Sequence, residues 1–167
     1  MPSRELPWIV EGKTVFGLHE INNNRQLREW LVSDRKTLGD PKALPWCGDY
    51  VETAIKKSLP KEAFTGALAE NPYWARNWLA FGVATKPVYG AIAVFQREGG
   101  GGHVGFLVGE DATDYYVLGG NQTNAVNISR IDKKRCLGTR WPGSANNPGL
   151  TLPRLSATNI PKTTNEF

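Results

Sequence analysis

The chain of 167 residues is poor in the side chains that bind transition metals: two cysteines (Cys47, Cys136), two histidines (His19, His103) and one methionine. It holds no CxxC pair and no HExxH, and a zinc site built from Cys47, His103 and Cys136 would match no standard ligand spacing, so neither metal nor cofactor is expected. Two cysteines in a chain without a secretory leader give no reason to expect a disulfide. Long apolar runs are missing too. Nothing is long enough to cross a bilayer, and the opening "MPSRELPWIVEGK" carries Glu5 and Glu11 where a signal peptide needs an unbroken apolar stretch. The run Gly99 to Gly102 lacks the Lys-Ser/Thr of a phosphate-binding loop, and Asp111 and Asp114 are too few oxygens for a calcium loop. Both segments read as hairpin turns. There is no internal repeat, and the length suits one domain with a substantial core.

What is present is a globular composition, 40% hydrophobic and 22% charged with six tryptophans, and a formal charge of +4. Such a charge suits a polyanionic partner, whether nucleic acid, acidic cell wall or lipopolysaccharide, without choosing among them. Helices are expected first: about Leu6 to Phe16, then around Leu27, Trp30 and Leu31, then from Cys47 onward. A fourth is expected in "ENPYWARNWLAFG", with Asn71 as N-cap, Pro72 at the first position and Trp74, Trp78 and Phe81 along one side. From Tyr89 the period becomes that of strands: Gly90 to Phe95, His103 to Gly109, Tyr115 to Asn121, then "AVNISRI" and "CLGTRW". Helices followed by strands in contiguous blocks imply an α+β fold with the helices packed on one antiparallel sheet. Residues 1–143 form the expected domain, and 144–167 a Pro-, Asn- and Thr-rich tail.

Chemistry gathers at "LPWCGDYVETAI". Apolar residues at Cys47, Tyr50, Val51, Ala54 and Ile55 mark one helix face, with Asp49, Glu52, Lys56 and Lys57 on the other. Cys47 thus stands in a first helical turn, where unpaired N–H groups and the macrodipole favour a thiolate. The position suits a nucleophile or a small buried apolar residue. A symmetric hairpin centred on Ala112 places Leu107 opposite Val117, Gly105 opposite Gly119 and His103 opposite Asn121. That pairing brings an imidazole and an amide within reach of each other. A catalytic cysteine needs such a base, and the base needs a polar group to orient it. His19 has no comparable partner, and Cys136 reads as core.

The motifs "PWCGDYV", "GHVGFLVG" and "VLGGNQ", in that order, resemble the cysteine, histidine and polar-residue motifs of the NlpC/P60 and CHAP superfamily of papain-like peptidoglycan amidases and peptidases. The likeness is closest to small single-domain members of phage and prophage lysis modules and gene-transfer-agent clusters, and runs from about Trp8 to Trp141. It implies a papain-like fold and an endolysin-like hydrolase, with Cys47 as nucleophile, His103 as general base and acid, and Asn121 or its neighbour Gln122 as orienting residue. Trp46, Tyr50, Trp74 and Gln122 are candidates to line the substrate cleft. The expected partner is bacterial peptidoglycan, not nucleic acid, for a monomer that does not insert into membrane. It would be made in the cytoplasm and reach the wall through a holin or a delivery particle. A catalytically idle wall-binding module and a papain-like acyltransferase or deamidase acting on protein are the competing readings.

Overall fold

Pro7 fixes the first helical position of α1 (Pro7–Lys13), and Lys13 sits in its last turn, where the dipole favours a cation. Further along come α2 (Asn24–Leu31), α3 (Cys47–Ser58) and α4 (Gly66–Glu70), then a 3-10 segment, Ala75–Ala80. Six strands follow, β1 (Val83–Ala84), β2 (Ile92–Gln96), β3 (Gly102–Glu110), β4 (Asp114–Gln122), β5 (Ala125–Asp132) and β6 (Cys136–Trp141). They form one sheet in the order β1-β6-β2-β3-β4-β5, with every pairing antiparallel. The computed structural model describes residues 5–156 and 160–163. Its class is α+β, helices against an antiparallel sheet.

Helix α3 packs across β3 and β4 and against α1. Tyr50 on α3 donates its hydroxyl to Gly12 O at 2.9 Å, and Trp8 on α1 donates Nε1 to Gly90 O at 2.9 Å, so both helices are tied down through buried polar tips. Trp8 also meets Trp141 of β6 edge to face, with centroids 5.1 Å apart. The periodicity of α3 is as expected, but the first half of its polar side is not a solvent face, while Lys56 and Lys57 reach water. Asp49 and Glu52 are fully buried. Asp49 Oδ2 accepts hydrogen bonds from the Leu38 N–H and the Thr37 hydroxyl, because the segment after α2 folds back over this side.

The helix expected from Pro72, with Asn71 as its N-cap, is replaced by a shorter and tighter 3-10 segment, Ala75–Ala80. Asn71 Oδ1 accepts from the Tyr73 N–H in a local turn, and Trp78 Nε1 donates to Pro72 O, which holds the chain in that turn before the 3-10 segment begins at Ala75. Trp78 and Phe81 are buried while Trp74 is half exposed. Asp111 Oδ1 accepts from the N–H groups of Thr113 and Asp114, the Asx turn that closes the β3–β4 hairpin.

The tail lies along the domain as a strap. Leu152 is buried, the Leu155 N–H donates to Glu110 O while the Glu110 N–H donates to Pro153 O, and Arg130 of the edge strand β5 bonds Pro161 O and the Thr163 N–H. Residues 157–159 and 164–167 of the expected tail lie outside the described residues. No helix among the described residues is long and apolar enough to cross a membrane.

Candidate active site

The start of α3 faces the N-terminal half of β3. Trp46 occupies the N-cap position and supplies no side-chain cap, so the first-turn N–H groups are left for whatever stands in front of the helix. Gly48 is required there: a Cβ would run into Pro72 O and lie 2.9 Å from Tyr73 Cα. Cys47 is only 4% exposed. Burial pushes its thiol pKa up, but a hydrogen bond to His103, the charge of that imidazole, and the N–H groups of Val104 and Gly48 outweigh burial and leave it below the ordinary cysteine value.

His103, fully buried on β3, shares its Nε2 with Gln122 Oε1 at 2.9 Å. Which ring nitrogen carries the proton follows from what holds the Gln122 amide. Its Nε2 lies 3.0 Å from Val117 O, 2.9 Å from Asn127 O and 3.0 Å from Asn127 Oδ1, three acceptors that fix the NH2 end toward them. The Oε1 end therefore faces the imidazole and accepts, so His103 Nε2 must donate. Nδ1 is left as the basic nitrogen for the thiol. Asn127 is itself oriented, its Nδ2 donating to Gln122 O and Thr123 Oγ1 and its Oδ1 accepting from Ser129 Oγ. Neither Asn127 nor Ser129 stood out in the sequence.

The hairpin count put Asn121 at the imidazole, and the hydrogen bond to Nε2 belongs instead to Gln122. The assumed register is correct in the middle of the hairpin, where Leu107 pairs with Val117 and Phe106 with Leu118. Beyond it the strand does not stay extended: Asn121 has φ 58°, and the β4–β5 register shifts between Gly119 and Gln122. That left-handed residue hands the face to Gln122. Asn121 lines a separate crevice with Glu20, Pro41 and Leu44. Gly119 makes the arrangement feasible, since a Cβ there would lie 2.6 Å from Gln122 Oε1.

Two cleft candidates are displaced as well. Trp46 is fully buried, its ring lying over Gly120 and its Nε1 donating to Glu20 Oε1 at 3.3 Å, and Tyr50 is fully buried with its hydroxyl on Gly12. Both serve the core, because the face that positions Cys47 is the face that packs on β4. Gln122 is also buried, so it acts on His103 and not on a ligand. Trp74 does line a crevice of about 80 Å³ together with Cys47, Tyr73 and Arg97. Cys136 pairs with Phe95, which pairs with His103, so two strand spacings (about 9.6 Å) and the Phe95 ring separate Cys136 from the imidazole. Among the described residues no group of three or more His, Cys, Asp or Glu could hold a metal ion. His19 spends Nδ1 as an acceptor for the N–H groups of Ile21 and Asn22.

Comparison of the chain with protein-family models, with curated proteins and with solved structures finds no match. Thiol at a helix start, imidazole on the facing strand and amide on the next strand define what this site can do: hold a thiolate beside an imidazole of fixed tautomer.

Proposed function

We propose that this protein is a papain-like cysteine hydrolase of the NlpC/P60 and CHAP kind, cutting an amide bond of bacterial peptidoglycan. The observation that carries the reading is the line Cys47–His103–Gln122, with the Gln122 amide locked so that His103 presents a bare Nδ1 to the thiol. The motif order that resembles the family and the net charge of +4 favour an acidic wall polymer as substrate.

The chemistry runs in two halves. His103 Nδ1 takes the Cys47 proton, and the thiolate attacks the scissile carbonyl carbon. First-turn N–H groups of α3 stabilise the tetrahedral oxyanion, for which an uncapped helix start is suited. The imidazolium gives its proton to the departing amine, leaving a thioester on Cys47. Water, deprotonated by the same nitrogen, attacks the thioester and releases the carboxylic acid with the thiol restored. Gln122 Oε1 supports the ring as it gains charge.

Incubation with purified sacculi, followed by mass analysis of released fragments, tests this directly and identifies the bond. Wild type and Cys136→Ser should release fragments and Cys47→Ala should release none. Wild-type protein that binds sacculi without releasing any fragment would make it a binding module. Transfer or deamidation on a protein acceptor would make it a papain-like acyltransferase or deamidase.

A further inference from the structure

Arg97 stands between two cavities. It is the one charged residue, among those described, that lines the 80 Å³ crevice at Cys47, whose other walls include Tyr73, Trp74, Gly101 and Gly102. It also lines a wider cavity of about 560 Å³, in which Arg97, Lys134, Arg135 and Lys162 face Glu98 and Asp132. Lys162 is ion-paired with Asp114, so Arg97, Lys134 and Arg135 against Glu98 and Asp132 leave the wider cavity with a small cationic excess, and the crevice beside the thiol is lined by no acid.

The hairpin that bears Arg97 is shaped around it. Gly99, Gly100 and Gly101 all have positive φ, 81°, 105° and 80°, a path that side-chain-bearing residues rarely follow. That path turns Gly100 O onto Arg97 Nε at 3.3 Å and Gly101 O onto Arg76 Nε at 2.9 Å. A Cβ on Gly101 would lie 3.3 Å from the Arg97 guanidinium, so the bare glycine gives the fork its place. On the far side Arg135 is anchored by Gln96 O and Thr163 O, and Lys162 by Asp114. Arg97 and Arg135 are thus held by backbone carbonyls, and Lys162 by a carboxylate.

We propose that Arg97 is a specificity residue that reads a free carboxylate on the substrate chain next to the amide attacked by Cys47. The anionic chain then continues into the cavity over Lys134 and Arg135. This rests on the hydrolase reading and narrows its substrate to the acidic peptide of the wall. A planar guanidinium matches a carboxylate with two parallel hydrogen bonds and discriminates against a carboxamide, which offers one acceptor where two are wanted. The crevice lies between Cys47 and Arg97, with the half-exposed Trp74 on its rim.

The test uses binding to the full chain carrying Cys47→Ala, so that it does not depend on turnover. Two synthetic tripeptides, identical except for a carboxylate or a carboxamide beside the scissile amide, are titrated by calorimetry at low salt. The carboxylate peptide is expected to bind about tenfold tighter, with the preference falling to about unity on adding Arg97→Gln and partly retained with Arg97→Lys. Thermal melting checks that each variant is folded. Equal affinity for the two peptides, a preference that survives Arg97→Gln, or no binding of either would overturn the assignment. Sacculi cut by the wild type without any carboxylate preference would refute this inference alone. Acidic peptides bound through Arg97 by a protein that cuts nothing would refute the hydrolase reading alone.

Discussion

Replacing Gln122 by alanine removes the acceptor of His103 Nε2 and, with it, the donor shared by Val117 O, Asn127 O and Asn127 Oδ1. Gln122 Oε1 bonds the imidazole in both charge states but the cation more strongly, so its loss lowers the basicity of His103. The Cys47 thiolate then loses part of the partner that holds its pKa down. A hydrogen bond contributes about 0.5–1.5 kcal/mol between neutral groups and about 1.5–3 kcal/mol to a charged one, and a pKa unit corresponds to about 1.4 kcal/mol, so the difference of about 1–1.5 kcal/mol should raise the thiol midpoint by up to about 1 unit. Turnover should fall by roughly five- to tenfold, because the same bond supports the imidazolium formed during attack more strongly than the neutral ring. The assay is the rate of iodoacetamide alkylation against pH in a Cys136→Ser background, which needs no substrate. Asn121→Ala should keep a near-normal midpoint. An unchanged midpoint in Gln122→Ala, or a large shift confined to Asn121→Ala, would refute the orienting role given to Gln122.

Gly119→Ala, at a residue that touches neither thiol nor imidazole, should raise the alkylation midpoint as Gln122→Ala does, since its Cβ would displace the Gln122 amide; a wild-type profile would show that the amide adapts without leaving His103. Burial raises the pKa of Glu52 to about 9, with Asp34 and Asp49 adding to it and Lys56 opposing, and burial raises Asp49 to about 7 with Asp34 adding. Folded values above the unfolded ones mean stability that is full below about pH 4 and is lost as pH rises through about 7 and then about 9. Glu52→Gln should therefore be more stable than wild type at pH 8–9, by an amount on the order of a few kcal/mol that vanishes near pH 4, as urea titrations at both pH values will read. Truncation after Gly143 removes the burial of Leu152, about 1.5–3 kcal/mol, and the strap bonds to Glu110 and Arg130, so the melting temperature should drop by several degrees while the bond cut in sacculi stays the same. A truncated protein that folds but cuts another bond would show that the tail selects the bond.

How far the sequence led depends on whether a feature is periodic. The stripe Cys47, Tyr50, Val51, Ala54, Ile55 marks a helix because its period is set by the backbone, and the middle of the β3–β4 hairpin is legible for the same reason. Alternation fails where a single residue leaves the extended region, as Asn121 does, and that one dihedral moved the orienting role to its neighbour. The pair Gly119-Gly120 was the available signal, since missing side chains next to "NQ" leave room for an amide and for the Trp46 ring. Burial of Asp49 and Glu52 was not legible, because the segment that covers them comes from outside the helix whose pattern they obey. Trp46 and Tyr50 looked like ligand platforms for a related reason: an aromatic beside a nucleophile has the same local pattern whether it faces water or β4.

The strap that pairs with Arg130 gives synthesis of the chain a clock. Strand β5 closes one margin of the sheet, and an unpaired margin is a template for joining a second chain. Ile160, which accepts from Arg130 Nε, lies 30 residues downstream. At 5–20 residues per second a ribosome needs about 1.5 to 6 s to cover that distance. For that interval the nascent chain lacks the strap over the second half of β5, the first half being paired with residues 17–20, and neighbours on the same messenger are closest to it. Slow codons after Arg130 should lengthen the exposure and fast ones shorten it, so the yield of soluble protein becomes sensitive to translation rate in a stretch that contributes nothing to the thiol, the imidazole or the amide.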